Sequence, residues 1–366
     1  MIAHKIPVTV ITGFLGAGKT TIIRSLLQSA EGKRIALIIN EFGDLGVDGD
    51  VLKGCGEETC TEDDIVELTN GCICCTVADD FIPTITQLLG RENQPDHIVI
   101  ETSGLALPQP LVNAFNWPEI REKVTVDGVV TVVDSRAVSH GQFAEDEEKL
   151  NRQRAADEAL DHESPLEELF GDQLTCADMI ILNKADLVAE EGLLGVETGI
   201  KSRVKRSVKL LRAANGSVPA SVLLGLDAGS QDDMHNRLSR HDQLHHDHDD
   251  DDEEHHHHHD HDHDDFVNFV VEPGPVGNKD QFAASLAAII EAHDILRLKG
   301  FVAVAGKPMR LVVQAVGSRI DSYFDREWQQ GEEPVTRLVV IGLDGLDQQK
   351  VAEAIKTAAS QSGQTG

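Results

Sequence analysis

A short apolar run, Val8, Val10 and Ile11, stops at Gly13, and Gly13, Phe14, Leu15, Gly16, Ala17, Gly18, Lys19, Thr20 and Thr21 follow. Gly13, Gly18, Lys19 and Thr20 fill the fixed positions of a phosphate-binding loop. The residue types follow from the chemistry. Glycines let backbone N–H groups converge on an anion with no Cβ in the way. The helix predicted over residues 21–30 points its positive end at the same anion. In this reading residues 13–21 cradle the nucleotide phosphates, Lys19 reaches the β- and γ-phosphates, and the Thr20 hydroxyl is a ligand for Mg²⁺. A strand, a glycine loop and a helix in that order predict an α/β fold with a mostly parallel, doubly wound sheet.

The rest of the chain reads as accessories to that loop. At 366 residues, length alone points to two or three domains. A net charge of −31 argues against nucleic acid or an anionic membrane surface as partner. No apolar run approaches the roughly 20 residues that span a bilayer. Residues 1–7 lack an apolar signal core, and the clustered cysteines do not read as a disulfide framework, so a cytoplasmic protein is expected.

Residues 35–39 form a continuous apolar run, expected to be a buried parallel strand. Asn40, Glu41, Phe42, Gly43 and Asp44 come next, a polar loop that reads equally as a switch sensing the γ-phosphate or as a plain connection. Cys55 and Cys60 are spaced loosely for a metal clip and remain open between metal binding and two unrelated thiols. Cys72, Cys74 and Cys75 put three thiols within four residues. Thiolates suit Zn²⁺, Cu⁺ and Co²⁺, and three of them leave a tetrahedral ion one ligand short, which suits transfer better than permanent structure.

Three further strands end in polar residues. Residues 97–100 close on Glu101, placed to organise Mg²⁺ or an attacking water, so Lys19, Thr20 and Glu101 are the expected catalytic set. Residues 129–133 end at Asp134. Residues 180–182 lead into Asn183, Lys184, Ala185 and Asp186, where a carboxylate accepts from guanine N1–H and its exocyclic amine and thereby selects GTP. A strand over residues 218–224 is expected to close the sheet.

Composition then breaks. Residues 241–263 hold eleven of the seventeen histidines, including His255, His256, His257, His258 and His259 in a row, interleaved with acids. No core can form from this composition, so a disordered linker is expected, and imidazole with carboxylate suits divalent first-row ions. Beyond it, strands near residues 266–271, 300–304, 309–316 and 335–341, with helices near 282–293 and 347–359, predict a smaller α+β domain. The expected division is residues 1–227, a linker at 228–265, and 266–366.

The ordered set of phosphate loop, Asn40 to Gly43, Gly71 to Cys75, Glu101 to Gly104 and Asn183 to Asp186 resembles the CobW-type P-loop GTPases, of one class with the nickel-inserting GTPases of hydrogenase and urease. The resemblance implies a GTP-hydrolysing metallochaperone whose Cys-x-Cys-Cys site binds metal in a nucleotide-dependent way. Leu52 to Gly56 and the Cys55/Cys60 pair look like the cobalamin-biosynthesis subgroup, which implies Co²⁺ delivered to a cobaltochelatase. Zinc-handling relatives imply Zn²⁺ and a recipient metalloprotein instead, and a non-catalytic metal buffer is a further alternative. Where some relatives carry a metal-binding glutamate before the Asn-Glu-Phe-Gly motif, this chain has Ile39.

Overall fold

The computed structural model describes residues 5–30, 33–40, 65–68, 81–106, 108–156, 166–205, 208–224, 266–317, 319–328 and 332–363. The loop after Asn40, Cys55, Cys60, Cys72, Cys74, Cys75 and the histidine tract with His255 to His259 lie outside the described residues.

The first half is a seven-stranded sheet built from β1 (Ile6–Thr12), β2 (Ile35–Asn40), β3 (Ile65–Leu68), β4 (His97–Glu101), β5 (Val124–Asp134), β6 (Met179–Asn183) and β7 (Lys209–Arg212), in the order β3-β2-β4-β1-β5-β6-β7. Every pairing is parallel. Unbroken apolar runs are what such strands need, because helices cover both faces. Accordingly β1, β4 and β6 are buried along their whole length. The helices are α1 (Lys19–Ser29), α2 (Ile82–Leu89), α3 (Pro108–Ala114), α4 (Pro118–Arg121), α5 (Ser135–Ser139), α6 (Glu147–Ala156), α7 (Leu166–Cys176), α8 (Glu190–Lys201) and α9 (Ala220–Leu224). α1 and α9 pack on one face, with Ile22, Ile23, Leu26 and Leu223 in one core. α2 to α4 pack on the other, with Ile85, Leu111 and Ile120.

One expected strand is corrected. Residues 218–224 do not close the sheet. That place belongs to β7, and Ala220–Leu224 is a short helix. A brief, fully apolar segment cannot be assigned by periodicity, and Pro219 decides the matter here, its carbonyl taking the first helical bonds from Val222 and Leu223.

The second half is an antiparallel sheet of β8 (Phe266–Val271), β9 (Arg297–Ala303), β10 (Met309–Val316), β11 (Arg319–Glu327) and β12 (Arg337–Leu343), ordered β11-β10-β9-β12-β8, with α10 (Lys279–Ala292) and α11 (Gln348–Gln361). Gly300 is required, since a Cβ there would stand 2.0 Å from the Arg337 carbonyl oxygen on the neighbouring strand. Alternation along β12 divides its side chains between two cores. Leu338 and Val340 face α10 and α11. Val339, Ile341 and Leu343 face the first sheet and join Val130, Leu211 and Leu223 in one continuous core.

Polar groups cross the same interface. A β-bulge between Val8 and Thr9 leaves Asp127 as the extra residue of β5. Asp127 is ion-paired with Arg297, both fully buried. Arg297 also donates to the carbonyls of Val222 and Leu223 at 3.2 and 3.0 Å. Arg319 meets Asp178 at 2.6 Å, and Lys209 meets Asp294 at 3.1 Å. Burial raises the Asp178 carboxyl above its ordinary value, and Arg319 only partly offsets this.

Candidate functional site

β1 sits centrally; the chain leaves it for β2 on one side, whereas the adjacent β4 leads to β5 on the other, so the C-terminal ends of β1 and β4 form a topological switch point, where such sheets bind ligands. The glycine loop lies there. Gly13, Gly16 and Gly18 have φ of 140, 75 and 100°, a region that L side chains rarely enter. The loop is also clamped. A Cβ on Gly13 would stand 2.2 Å from the Val132 carbonyl oxygen, and one on Gly18 would stand 2.2 Å from Asn183 Nδ2. The loop is therefore held against β5 on one side and the Asn183 tetrad on the other.

Within it, Phe14 turns its ring into the core against Phe143 and Phe170, centroids 5.8 Å away in each case, so it offers a ligand only its backbone. Ala17 is buried and its carbonyl accepts from Asn183 Nδ2 at 2.8 Å. Leu15 is half-buried and Gly16 is exposed at the loop's tip. Lys19, buried at 7% exposure, opens α1 and donates to the Gly13 carbonyl at 2.8 Å. Its ammonium thus lies inside the loop's curve. Thr20 Oγ1 donates to Glu101 Oε1 at 3.4 Å, and Glu101 is buried at the end of β4. A hydroxyl and a carboxylate at this spacing fit two neighbouring ligands of Mg²⁺, whose 2.1 Å bonds set adjacent oxygens about 3 Å apart.

The base-reading tetrad follows β6. Asn183 joins three elements, accepting from Gly216 N at 3.1 Å besides its bond to Ala17. Lys184 adopts a left-handed conformation (φ 60°), and its ammonium meets Asp134 at 2.5 Å and Glu145 at 3.2 Å. Burial alone would lower its pKa, but the bonds to Asp134 and Glu145 overcome this and raise it. Asp134 also caps α5, accepting from Ala137 N at 3.0 Å. Asp186 holds a buried oxygen, Oδ1, with no hydrogen-bond partner among the described residues. A buried carboxylate oxygen in that condition is costly unless a ligand's N–H groups complete it. Guanine supplies two such donors on one edge.

The role of Gly104, and the turn at Asn215 and Gly216, were not read from sequence. Gly104 lies under the glycine loop, where a Cβ would come within 2.8 Å of Leu15 N. Asn215 and Gly216 both have positive φ (52 and 70°) and form the turn that braces Asn183, with Gly216 so close to α1 that a Cβ would meet Thr21 Cγ2 at 2.8 Å. The Asn-Gly dipeptide is itself a turn signal. Among the described residues Cys176 is a free cysteine; burial first, then Asp172 and Asp178, push its thiol up to about 12, so it stays protonated and unreactive.

Residues 7–212 match the family described as "CobW/HypB/UreG, nucleotide-binding domain", and residues 266–359 match "Cobalamin synthesis protein cobW C-terminal domain". The chain belongs to the CobW/HypB/UreG family. It is a P-loop GTPase and a metallochaperone of the CobW branch. It is 62% identical over 351 residues to a Sinorhizobium protein named "Zinc chaperone CobW", covering 96% of each chain. It is 51% identical to a Pseudomonas aeruginosa protein of the same name, over 97% of this chain and 92% of the relative. A solved structure titled "Crystal structure of Zn(II)-bound YjiA GTPase from E. coli" is 22% identical, covering 97% of this chain and 99% of that one, at a TM-score of 0.40. The family match accounts for the joining of a parallel P-loop sheet to an antiparallel C-terminal sheet, as the sequence predicts. Among the described residues no helix is long and apolar enough to cross a membrane.

Proposed function

We propose that this GTPase carries Zn²⁺ as cargo on Cys72, Cys74 and Cys75 and passes it to a recipient metalloprotein when GTP is hydrolysed. Two relatives that span nearly the whole chain are named zinc chaperones, which favours Zn²⁺ over the Co²⁺ that the cobalamin-type motifs put first. Ligand chemistry agrees, since Zn²⁺ lies above Co²⁺ in affinity at such donors. Delivery to a cobaltochelatase therefore gives way to delivery to a zinc-dependent protein.

In this reading the backbone of residues 13–21 and the Lys19 ammonium hold the phosphates, and Asn183, Lys184 and Asp186 hold the guanine. Thr20 and Glu101 hold Mg²⁺, which neutralises charge on the β- and γ-phosphates when bound. The observation that carries the coupling is a register. Ile11, Glu101, Ile39 and Glu67 lie in one row across β1, β4, β2 and β3. The thiol segment begins two residues beyond that row, at Thr69, and the loop after Asn40 begins on the neighbouring strand. A displacement at Glu101 on loss of the γ-phosphate therefore acts on the strand ends from which both segments depart. Nucleotide and metal then bind with positive, reciprocal coupling. Residues 1–227 form the GTPase domain, 228–265 a linker whose His255 to His259 capture ions, and 266–366 the C-terminal domain.

The test is a Zn²⁺ competition titration with Mg²⁺–GTP and with Mg²⁺–GDP, for the natural chain and Cys74→Ala. Tighter Zn²⁺ binding in the GTP form is expected, with Cys74→Ala losing orders of magnitude there and far less in the GDP form. Equal losses in both nucleotide states would end the coupling argument.

A further inference from the structure

Along the seam between the two sheets runs a cleft of about 600 Å³. One wall comes from α8, the turn after it and β7, and supplies Lys201, Lys205, Lys209 and Arg212. The other comes from the C-terminal domain, with Asp294, Leu296 and Leu343. Four cations against two acids, Glu197 and Asp294, make this a positive exception in a chain of net charge −31. Part of that charge is spent internally. Glu197 accepts from Lys201 at 3.2 Å and Arg212 at 2.7 Å, Glu190 takes two further bonds from Arg212 at 2.8 and 3.0 Å, and Lys209 is held by Asp294. Lys205 is exposed and has no side-chain partner among the described residues.

The rim of this cleft is also where the most acidic part of the chain is tethered. β8 begins at Phe266, which pairs in register with Leu343, one of the residues lining the cleft. Residues 242–265, immediately before it, carry twelve carboxylates and no Lys or Arg. At no more than about 3.5 Å per residue, Asp264 and Asp265 must lie within about 7 Å of Phe266. The other end is fixed as well, because Leu224, the last described residue before the tract, is buried in the core cluster against which Phe266 packs. Tethering at both ends raises the local concentration of carboxylate at the cleft far above that of a free peptide. With a Debye length near 8 Å at physiological salt, tract acids that come within that distance of the lysines act on them at full strength, and more distant ones are screened.

We propose that the acidic, histidine-rich tract of residues 242–265 docks into this cationic cleft, with its carboxylates on Lys201 and Lys205. Docking and metal loading then compete. Each divalent ion taken up by the tract's imidazoles and carboxylates removes negative charge and weakens its hold on the lysines. The cleft thereby gives the tract a place to rest when it carries no ions, independently of the thiolate site, and Cys74→Ala leaves it unaffected.

Zero-length carbodiimide coupling of the full chain, mapped by mass spectrometry, tests this. At low salt, amide cross-links from Lys201 and Lys205 to Asp260, Asp262, Asp264 or Asp265 within one molecule are expected. At 0.5 M salt, or with saturating Zn²⁺, their yield should fall at least about fivefold. Acylation of Lys205 by a water-soluble active ester should be several-fold slower than in a chain whose twelve tract acids are replaced by Asn and Gln. Equal acylation rates in those two chains would overturn the docking, as would cross-links found only between molecules. Cross-links unchanged by Zn²⁺ would overturn the competition. Protection of Lys205 by inorganic phosphate alone, with the tract neutralised and no cross-links in the natural chain, would assign the cleft to a soluble anion instead.

Discussion

His97 opens β4 at 0% exposure, sharing a 2.9 Å hydrogen bond with Thr9 Oγ1 and lying 4.0 Å from the Asp127 carboxylate. Burial lowers its pKa from 6.5 to about 3, Asp127 opposing and Lys299 and Arg297 assisting. The imidazole is therefore neutral, and its approach to Asp127 is not an ion pair at neutral pH. The consequence for stability follows by linkage. The folded pKa lies below the unfolded one, so the unfolded chain takes the proton first and stability is lost as pH falls below 6.5. At 1.36 kcal/mol per unit, the two units from 6.5 to 4.5 remove about 2.7 kcal/mol. The nearby charges do not blur this window. Asp127 is held below its ordinary value by Arg297 and Lys299 despite burial, so its own loss begins only under pH 3.8. Asp178, raised by burial, contributes in the opposite direction, but equally in any His97 variant. His97→Gln retains an amide near the Nε2 position and removes the titration. Urea unfolding at pH 7.5, 6.5, 5.5 and 4.5 should show the natural chain losing about 2–3 kcal/mol more than the variant between the extremes. Parallel losses in the two proteins would refute a neutral, buried imidazole.

Three other outcomes are expected. Asp186→Asn should weaken GTP about 10²–10⁴-fold, through two lost charge-assisted hydrogen bonds, and improve xanthosine triphosphate relative to GTP, because the amide can donate to the xanthine C2 oxygen; nucleotide titrations check both. Gly18→Ala puts a Cβ 2.2 Å from Asn183 Nδ2 at φ 100°, so GTP binding should fall at least about tenfold while the thermal midpoint moves little, separating loop closure from unfolding. Arg297→Ala strands the buried Asp127 carboxylate and should cost about 3–5 kcal/mol in chemical denaturation, whereas Arg297→Met combined with Asp127→Leu should recover much of that loss.

Features fixed by local chemistry were legible in the sequence. The glycine loop needs its residue types wherever it occurs, and both of its fixed glycines, Gly13 and Gly18, have positive φ. The tetrad ending β6 was legible too, since its carboxylate, Asp186, follows a buried strand and lies about one domain's length downstream of a phosphate loop. Features fixed by long-range contact were not legible. Nothing in Lys209 to Arg212 distinguishes a closing strand from a polar turn until β6 offers it a partner. β11 carries charges at Arg319, Asp321, Asp325 and Arg326, which mask an edge strand whose acids bond across it to Thr125 and Arg310. Gly104 is needed only because Leu15 passes over it, a meeting of residues that no spacing rule encodes.

The core that runs from Val130 and Leu211 through to Ile341 and Leu343 belongs to neither half alone. Expressing residues 1–224 by themselves would present a greasy flank to solvent, and the fragment should clump. Cutting the backbone between 225 and 265 after folding is a different operation, since the flank stays covered. The two pieces should then travel together through a sizing column as one particle, held by nothing covalent.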